Sequence, residues 1–358
     1  MKVVEFGSEF DWDSNISFQA STSNEYFDEK KLQKYRSGRD ALKAVAREYK
    51  KQTRKILLPA LCCESMVSPF VMNGYQAVFY KMNAEYSADT VDVEKKLEKG
   101  CLFLYMPYFG ISPFTAAQLK EWKEKYECVF IEDRTQNALH NLEEGEFNPD
   151  ITISSIRKWL AIPDGGLLWS EKRFAESGKE ELKFAQIRFE ALQKKSTYLS
   201  NGVQEVKNEY REMLQQAAQK LDEESIACNI SAQSDALLSQ MDFAKILLAR
   251  QQNVMALKKS LDIAVTQGKI VYVTQYPEKS TLYFPILVDC RDALQRELAQ
   301  RNIYCPVIWP IPQAARGVCE TAEYTAKHML ALPCDQRYTT EDMEYIAATV
   351  KLLLNDRV

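Results

Sequence analysis

Short apolar runs alternate with amphipathic segments through the first half of this 358-residue chain, and that alternation limits the fold more than any other feature. Each run has the length of one strand, and most are separated by about 10–15 residues with a helical pattern. Strands that alternate with such helices indicate βαβ units and a largely parallel sheet. The runs are KILLPA (55–60), AVFYKM (77–82), CLFLYMP (101–107), CVFIED (128–133), ITISS (151–155) and GGLLW (165–169).

The second half of the chain has a different pattern. Residues 171–260 are almost all helical and heavily charged, and strand-like runs return only after residue 270. There, KIVYVTQ (269–275) and STLYFPILVDC (280–290) predict an antiparallel pair of strands, and IYCPVIWP (303–310) predicts a further strand. A mixed α+β unit is therefore expected to follow the long helical stretch.

These patterns predict an α/β fold in two domains. The larger domain, residues 1–235, would hold the mostly parallel sheet between helices and would include the helical stretch 171–235. The smaller domain, residues 236–358, would be the C-terminal α+β unit. In it, Thr340 is predicted to cap the last helix, whereas residues 1–35 are polar and are predicted to be irregular.

Charge and composition exclude several classes of protein. The net charge of −4 offers no basic footprint for nucleic acid or an anionic membrane, and no apolar run approaches the ~18 residues of a membrane span. The N-terminus, MKVVEFGSEFDWDSN, has no apolar core of a signal peptide, so the nine cysteines indicate reduced thiols in the cytoplasm. They form no C-x-x-C pair and only two histidines are present, so no metal site is predicted.

The first candidate site is the turn Ser37-Gly38-Arg39, which opens the first amphipathic helix. Small residues at a helix start present unpaired backbone N–H groups and the positive end of the helix dipole. That arrangement suits a phosphate group. Taken alone, the motif is also compatible with an ordinary helix cap.

Two further candidates follow neighbouring strands. Asp133 ends the strand CVFIED, and the carboxyl ends of parallel strands face the ligand crevice of an open sheet. Lys158 comes just after the strand ITISS and before the turn Gly165-Gly166. A lysine that is buried or lies near another cation has a lowered pKa and can act as a nucleophile. Taken singly, a solvated strand end and a surface lysine are the alternatives. No G-x-G-x-x-G follows a strand, which argues against a dinucleotide site.

The order and spacing of these motifs resemble those of the fold-type I, pyridoxal-phosphate-dependent enzymes, and among them the DegT/DnrJ/StrS sugar aminotransferases. The resemblance covers about residues 30–355. Family members carry Glu-Asp, two residues and then Gln or His, which corresponds to Glu132-Asp133-Arg134-Thr135-Gln136. The family's lysine matches Lys158, and its later glycines match Gly165 and Gly166. The segments YFPILVDCRDALQRELAQRNIYCPVIWP (283–310) and LALPCDQRYTTEDMEYI (330–346) are also similar to the family pattern.

The resemblance implies pyridoxal 5'-phosphate as the cofactor and a role for each motif. Lys158 would be the Schiff-base lysine and general base, and Asp133 would hold the proton on the pyridine nitrogen. Gln136 would donate a hydrogen bond to the ring oxygen. Cys62 and Cys63 stand where relatives often place an aromatic or histidine side chain over the ring, and Cys63 is the residue expected to contact the cofactor. The phosphate would be bound by Ser37, Gly38, Arg39, Ser154 and Ser155, with Arg39 contacting it through either its guanidinium or its N–H alone.

The resemblance also implies an activity, the transfer of an amino group from glutamate to a keto sugar nucleotide. It implies a homodimer with active sites at the subunit interface. Two alternatives stay open: a non-catalytic family member that acts as a binding or regulatory protein, and a related enzyme such as a dehydratase acting on a similar sugar. Dehydratase relatives replace the lysine with histidine, so Lys158 argues against the second. The sequence leaves open which sugar is used and whether residues 171–235 form a lid.

Overall fold

The structure is a computed structural model that describes residues 3–14, 31–139, 147–174, 182–224, 226–270 and 281–355. In this part of the chain no helix is long and apolar enough to cross a membrane. The same residues contain no group of three or more His, Cys, Asp or Glu side chains that could hold a metal ion.

A mostly parallel sheet forms the centre of the first half, as the apolar runs predict. Within the described residues it has seven strands. In spatial order they are β2 (Leu32–Tyr35), β8 (Gly166–Trp169), β7 (Ile151–Ser154), β6 (Val129–Asp133), β5 (Leu102–Tyr105), β3 (Lys55–Pro59) and β4 (Gln76–Tyr80). Neighbouring strands from β7 to β4 run parallel, and β8 is antiparallel to both of its neighbours. Every residue of β5 is buried, because helices cover both faces of a parallel sheet.

Helices connect these strands where the amphipathic segments predict them. They are α1 (Gly38–Tyr49), α2 (Glu64–Val71), α3 (Thr90–Lys96) and α4 (Ala116–Tyr126). The helix α4 shows how the local sequence determines where a helix begins. The Thr115 hydroxyl accepts the Gln118 N–H at 3.2 Å, and the Gln118 side chain accepts the Thr115 N–H at 2.9 Å. This reciprocal cap fixes its first turn.

The second half is helical and then mixed, in agreement with its pattern. The elements are α5 (Leu182–Asn201), α6 (Gln204–Glu223), α7 (Ala232–Leu238), α8 (Phe243–Thr266), β9 (Phe284–Leu287), α9 (Arg291–Gln300), β10 (Ile303–Tyr304), α10 (Glu320–His328), β11 (Met329–Leu332) and α11 (Thr340–Asn355). The helices α5 and α6 pack against each other as a hairpin, for example through Phe184, Ala217 and Leu221.

Three predictions about the strands need correction or fall outside the structure. The strand β9 pairs antiparallel with β11, and the run 269–275 lies mostly outside the described residues. The predicted strand 303–310 is reduced to β10, which pairs in parallel with β1 (Phe6–Gly7) near the N-terminus. Residues 1–35 therefore supply both β1 and β2, two short strands. Neither has enough residues to show a strand period, and both form only through distant partners.

The cap of α11 is also shifted by one residue from its predicted position. Thr339, rather than Thr340, accepts the Asp342 N–H on its hydroxyl at 3.3 Å. The Asp342 carboxylate in turn accepts the Thr339 N–H at 2.8 Å. Two adjacent threonines make the sequence pattern ambiguous, and the backbone geometry decides between them.

Two glycines allow the start of α1 to reach the ends of β7 and β8. A Cβ atom on Gly166 would overlap the backbone carbonyl of Ser37. A Cβ atom on Gly38 would lie 3.3 Å from the Cβ of Ser155. Close backbone approach at these two places therefore brings the N-terminus of α1 beside the residues that follow β7.

Candidate active site

The first turn of α1 leaves backbone donors unpaired at one wall of a cavity. The Ser37 hydroxyl donates to the Asp40 carboxylate at 2.6 Å and accepts the Asp40 N–H at 3.1 Å. Arg36 binds the same carboxylate through two nitrogens, each at 2.8 Å. The Ser37 side chain is thus used by the cap. Among the described residues the N–H groups of Gly38 and Arg39 have no acceptor, and they remain available to an anion.

Asp133 occupies the buried carboxyl end of β6. Its Oδ1 accepts the backbone N–H of Thr135 at 2.9 Å. Burial raises the pKa of Asp133, while the hydrogen bonds from Thr135 and the charge of Lys158 act in the opposite direction. A cation beside this carboxylate would therefore be strongly favoured, because it would compensate a buried negative charge.

Thr135 joins the two loops that carry the candidate residues, and the sequence analysis gave it no role. Its hydroxyl accepts the Ser155 N–H at 3.0 Å, and its carbonyl accepts the Trp159 indole N–H at 2.8 Å. These bonds hold the turn after β7 against the turn after β6. The only sequence signal for Thr135 was its place between Asp133 and Gln136.

Lys158 is half-buried at the end of the short helical turn Ile156–Lys158. Burial lowers the pKa of its amine. The positive charges of Arg157 and Arg39 lower that pKa further, whereas Cys63 and Asp133 raise it. A lowered pKa increases the fraction of neutral, nucleophilic amine at a given pH.

Most of the predicted site residues line one cavity at this edge of the sheet. Cys63, at the start of α2, and the half-buried Trp309 close it on further sides. Ser154 is the predicted residue that does not line it: its side chain is fully buried, and its hydroxyl has no hydrogen-bond partner in the described part of the chain. The predicted residues that do line the cavity are Ser37, Gly38, Arg39, Cys63, Asp133, Gln136, Ser155 and Lys158.

The polar groups of this cavity fit pyridoxal phosphate. Unpaired amides at the start of α1 suit its phosphate, the Asp133 carboxylate suits its ring nitrogen, and the Lys158 amine suits its carbonyl carbon. Two buried atoms, Oε1 of Gln136 and Nε of Arg39, have no hydrogen-bond partner among the described residues. Such atoms normally have one, so a bound polar molecule would satisfy them.

A second cavity, of about 720 Å³, adjoins the first, and sequence reasoning did not find it. Arg157 and Lys158 line both cavities. Its other walls come from the N-terminal segment around Glu9, from α6, from α9 and from side chains such as Arg250 and Arg337. These residues are far apart in the chain, and no local motif marks them.

Solved structures with the same fold match nearly the whole chain. PseC of Helicobacter pylori, an aminotransferase involved in the biosynthesis of pseudoaminic acid, is 13% identical with a TM-score of 0.69, over 99% of this chain and 100% of that chain. The putative sugar aminotransferase Spr1654 of Streptococcus pneumoniae, in its PLP form, is 15% identical with a TM-score of 0.66, over 100% of both chains. DesI, solved in the presence of its TDP-sugar product, is 14% identical with a TM-score of 0.64, over 90% of this chain and 80% of that chain.

The family comparison agrees with the motif order. The comparison with curated proteins finds no match. The sequence model of the DegT/DnrJ/EryC1/StrS aminotransferase family, by contrast, matches residues 21–351. The chain therefore belongs to the DegT/DnrJ/EryC1/StrS aminotransferase family of pyridoxal-phosphate-dependent sugar aminotransferases.

Proposed function

We propose that this protein transfers an amino group from glutamate to a keto sugar nucleotide, with pyridoxal phosphate as cofactor and Lys158 as the reacting amine. The observation that carries the proposal is the meeting of Lys158, Asp133 and the unpaired amides of α1 on one cavity. When bound, pyridoxal phosphate supplies a carbonyl carbon that reacts with amines and a ring that withdraws electrons.

Lys158 would have two tasks in this reaction. Its Nζ would hold the cofactor at the carbonyl carbon, which requires a neutral amine and so benefits from the lowered pKa. Once the amine of the donor has displaced Nζ from the cofactor, Nζ would act as a general base. It would remove the proton from the α-carbon of the donor and hold that proton for return later in the reaction. Its half-buried position between the two cavities supports both tasks, because it reaches the cofactor side and the substrate side.

The other predicted residues would bind and orient the cofactor. Asp133 would keep a proton on the ring nitrogen, and the N–H of Thr135 would fix the orientation of its carboxylate. The amides of Gly38 and Arg39 would bind the phosphate, together with the hydroxyl of Ser155. The Nε2 of Gln136 would donate a hydrogen bond to the ring oxygen, and its unpaired Oε1 would be free to accept one from the bound molecule.

The substrate class rests on the second cavity and on the similar structures. A volume of about 720 Å³ beside Lys158 is large enough for a substrate with several rings. PseC takes part in the biosynthesis of pseudoaminic acid, and DesI was solved in the presence of its TDP-sugar product, which supports a sugar nucleotide as the acceptor. All nine cysteines are free thiols, which supports a reducing compartment such as the cytoplasm.

The proposal is tested by replacing Lys158 and Asp133 and following the visible absorbance of the purified holoprotein. Lys158→Ala should abolish that absorbance and its bleaching by glutamate. Asp133→Asn should retain bound cofactor but bleach on the order of 10²-fold more slowly in a single turnover, the scale of removing one electrostatic stabiliser. Lys99→Ala, at an exposed lysine, is the control. Near-wild-type bleaching in both site variants would overturn the proposal.

A further inference from the structure

Four arginines on the walls of the large cavity form no salt bridge with the described acidic residues. Other cations on the same cavity are neutralised: Lys207 pairs with Glu5 at 2.6 Å, and Arg337 pairs with Asp335 at 2.7 Å. Across the described ranges no ion pair neutralises the remaining four guanidiniums, although each faces the cavity. They are Arg157, Arg211, Arg250 and Arg296.

Arg157 lies at the Lys158 end of the cavity. Its Nε is buried and has no hydrogen-bond partner, and within the described ranges its guanidinium forms no salt bridge. The acids that act on it are bound elsewhere: Glu9 accepts from Arg188 at 2.9 Å, and Asp164 accepts from the Ser231 hydroxyl at 2.7 Å. No salt bridge among the described residues therefore compensates the charge of this half-buried guanidinium.

Arg250 is fully buried, and one nitrogen of its guanidinium has no hydrogen-bond partner among the described residues. Its side chain is 0% exposed and lies over the Trp159 ring, with Cζ 4.4 Å from the ring centroid. Its Nε donates to Gln336 at 2.7 Å and its Nη1 donates to the Thr281 carbonyl at 3.1 Å, which fixes the plane of the group. Its Nη2 has no hydrogen-bond partner in the described part of the chain. Arg211 and Arg296, by contrast, are exposed on α6 and α9.

We propose that Arg157 and Arg250 form the binding site for the carboxylate groups of a dicarboxylic amino donor. This inference rests on the proposed function and adds the residues that select its donor. The reacting amine of an amino acid and its α-carboxylate are attached to the same carbon. A carboxylate site must therefore lie within a few bonds of the amine that the donor displaces, as Arg157 does beside Lys158. The diphosphate of a sugar nucleotide is separated from the reacting carbon by part of the sugar ring, and it belongs nearer the exposed arginines.

A guanidinium suits this task because its planar N–H groups match both oxygens of a carboxylate. Two separate guanidiniums match a donor with two carboxylates better than a donor with one. The site therefore favours glutamate over glutamine, whose neutral amide would leave one buried guanidinium unpaired.

The test measures binding of glutarate, a dicarboxylate without an amine, to the holoprotein by calorimetry. Arg157→Gln should weaken glutarate binding about tenfold or more, and Arg250→Gln should do the same. Arg157→Lys and Arg250→Lys keep the charge and should retain part of the affinity. Arg211→Gln makes the same change at an exposed arginine of the same cavity and should leave glutarate binding unchanged. Glutarate binding is compared at a pH at which every variant is saturated with cofactor, which its visible absorbance checks.

Glutarate that fails to bind the wild-type protein, or that binds Arg157→Gln and Arg250→Gln as well as it binds the wild-type protein, overturns the inference. Uridine diphosphate provides a second arm, because its affinity should be unaffected by Arg157→Gln. A loss of uridine diphosphate binding in place of glutarate binding would assign the site to the acceptor and also overturn the inference. If glutarate binding depends on Arg157 and Arg250 but the protein transfers no amino group, the carboxylate site is supported and the proposed function fails.

Discussion

The ionisation of Lys158 depends on charged neighbours that act in opposite directions. Burial and the cations Arg157 and Arg39 lower its pKa, whereas Asp133 and Cys63 raise it. A substitution that removes the charge of one of these neighbours should therefore shift the pKa of Lys158. The direction of that pKa shift can be predicted for each neighbour from the sign of its charge.

We predict opposite shifts in the pH dependence of cofactor uptake by the cofactor-free protein. The rate should rise with pH as Lys158 loses its proton and should level off above its pKa, which lies below that of an ordinary lysine. Arg157→Gln removes a positive charge, so the pKa of Lys158 should rise and the midpoint should move to higher pH. Asp133→Asn removes a negative charge, so the midpoint should move to lower pH. Visible absorbance after mixing measures the rate, and shifts in the same direction would contradict the assignment.

At the scale of elements, the site depends on how closely β8 approaches the start of α1. A side chain on Gly166 would meet backbone atoms of Ser37, which cannot move away by changing a rotamer. A side chain on Gly38 would meet the Cβ of Ser155 at 3.3 Å, a contact that a shift of a few tenths of an ångström relieves. The two glycines therefore differ in how much of the structure must move.

We predict that Gly166→Ala lowers the free energy of unfolding by about 1–3 kcal/mol, the usual cost of overpacking, and weakens cofactor binding by displacing the amides of α1. Gly38→Ala should have a clearly smaller effect on both. Thermal or denaturant unfolding and a cofactor titration measure the two quantities. Equal effects of the two substitutions would show that the close approach at Gly166 does not position α1.

The helix α6 meets α1 through ion pairs at the cofactor cavity. Arg39 pairs with Asp222, Arg36 pairs with Glu224, and Leu221 lines the cavity itself. The C-terminal end of α6, which belongs to the stretch 171–235, thus lies against the site. Arg39 consequently has two candidate partners, the cofactor phosphate and Asp222.

We predict that Arg39→Ala raises the cofactor dissociation constant about tenfold or more, since a charge-assisted contact contributes roughly 1.5–3 kcal/mol. Asp222→Asn should have a much smaller effect, because its side chain is 66% exposed and such pairs contribute about 0–1 kcal/mol. Equilibrium titration with pyridoxal phosphate decides between the partners. If both variants lose affinity equally, Arg39 acts by anchoring α6.

The elements also show why sequence patterns predict some features and miss others. The runs that form β3 to β8 are continuous and apolar because a parallel sheet buries both faces, and that local property is readable without partners. The strand β1 has only two residues, Phe6 and Gly7, and exists because Ile303 and Tyr304 lie beside it. Such pairing is determined by tertiary packing, so no local sequence pattern predicts it.

At the scale of the whole molecule, the two cavities also differ in how far local sequence patterns predict them. Most polar residues of the cofactor cavity lie in three short motifs, whose order and spacing were readable in the sequence. The large cavity combines residues as distant as Glu5 and Arg337, and its unpaired arginines stand out only when their surroundings are known. The charge of Arg157 was visible in the sequence; its lack of a partner was not.

The last prediction is that the protein is a homodimer whose active sites lie at the subunit interface. Besides the family resemblance, the chain has five tryptophans and 18 tyrosines, residues that are common in interfaces. In the single chain Lys158 and Trp309 are only half-buried, so the cofactor cavity is open to water on that side. A second copy placed there would exclude water and strengthen the electrostatic contacts of Asp133 and Lys158. Light scattering should give twice the 41.2 kDa of one chain, and dilution to the monomer should abolish bleaching by glutamate. A monomer that bleaches at the full rate would show that one chain completes its own site.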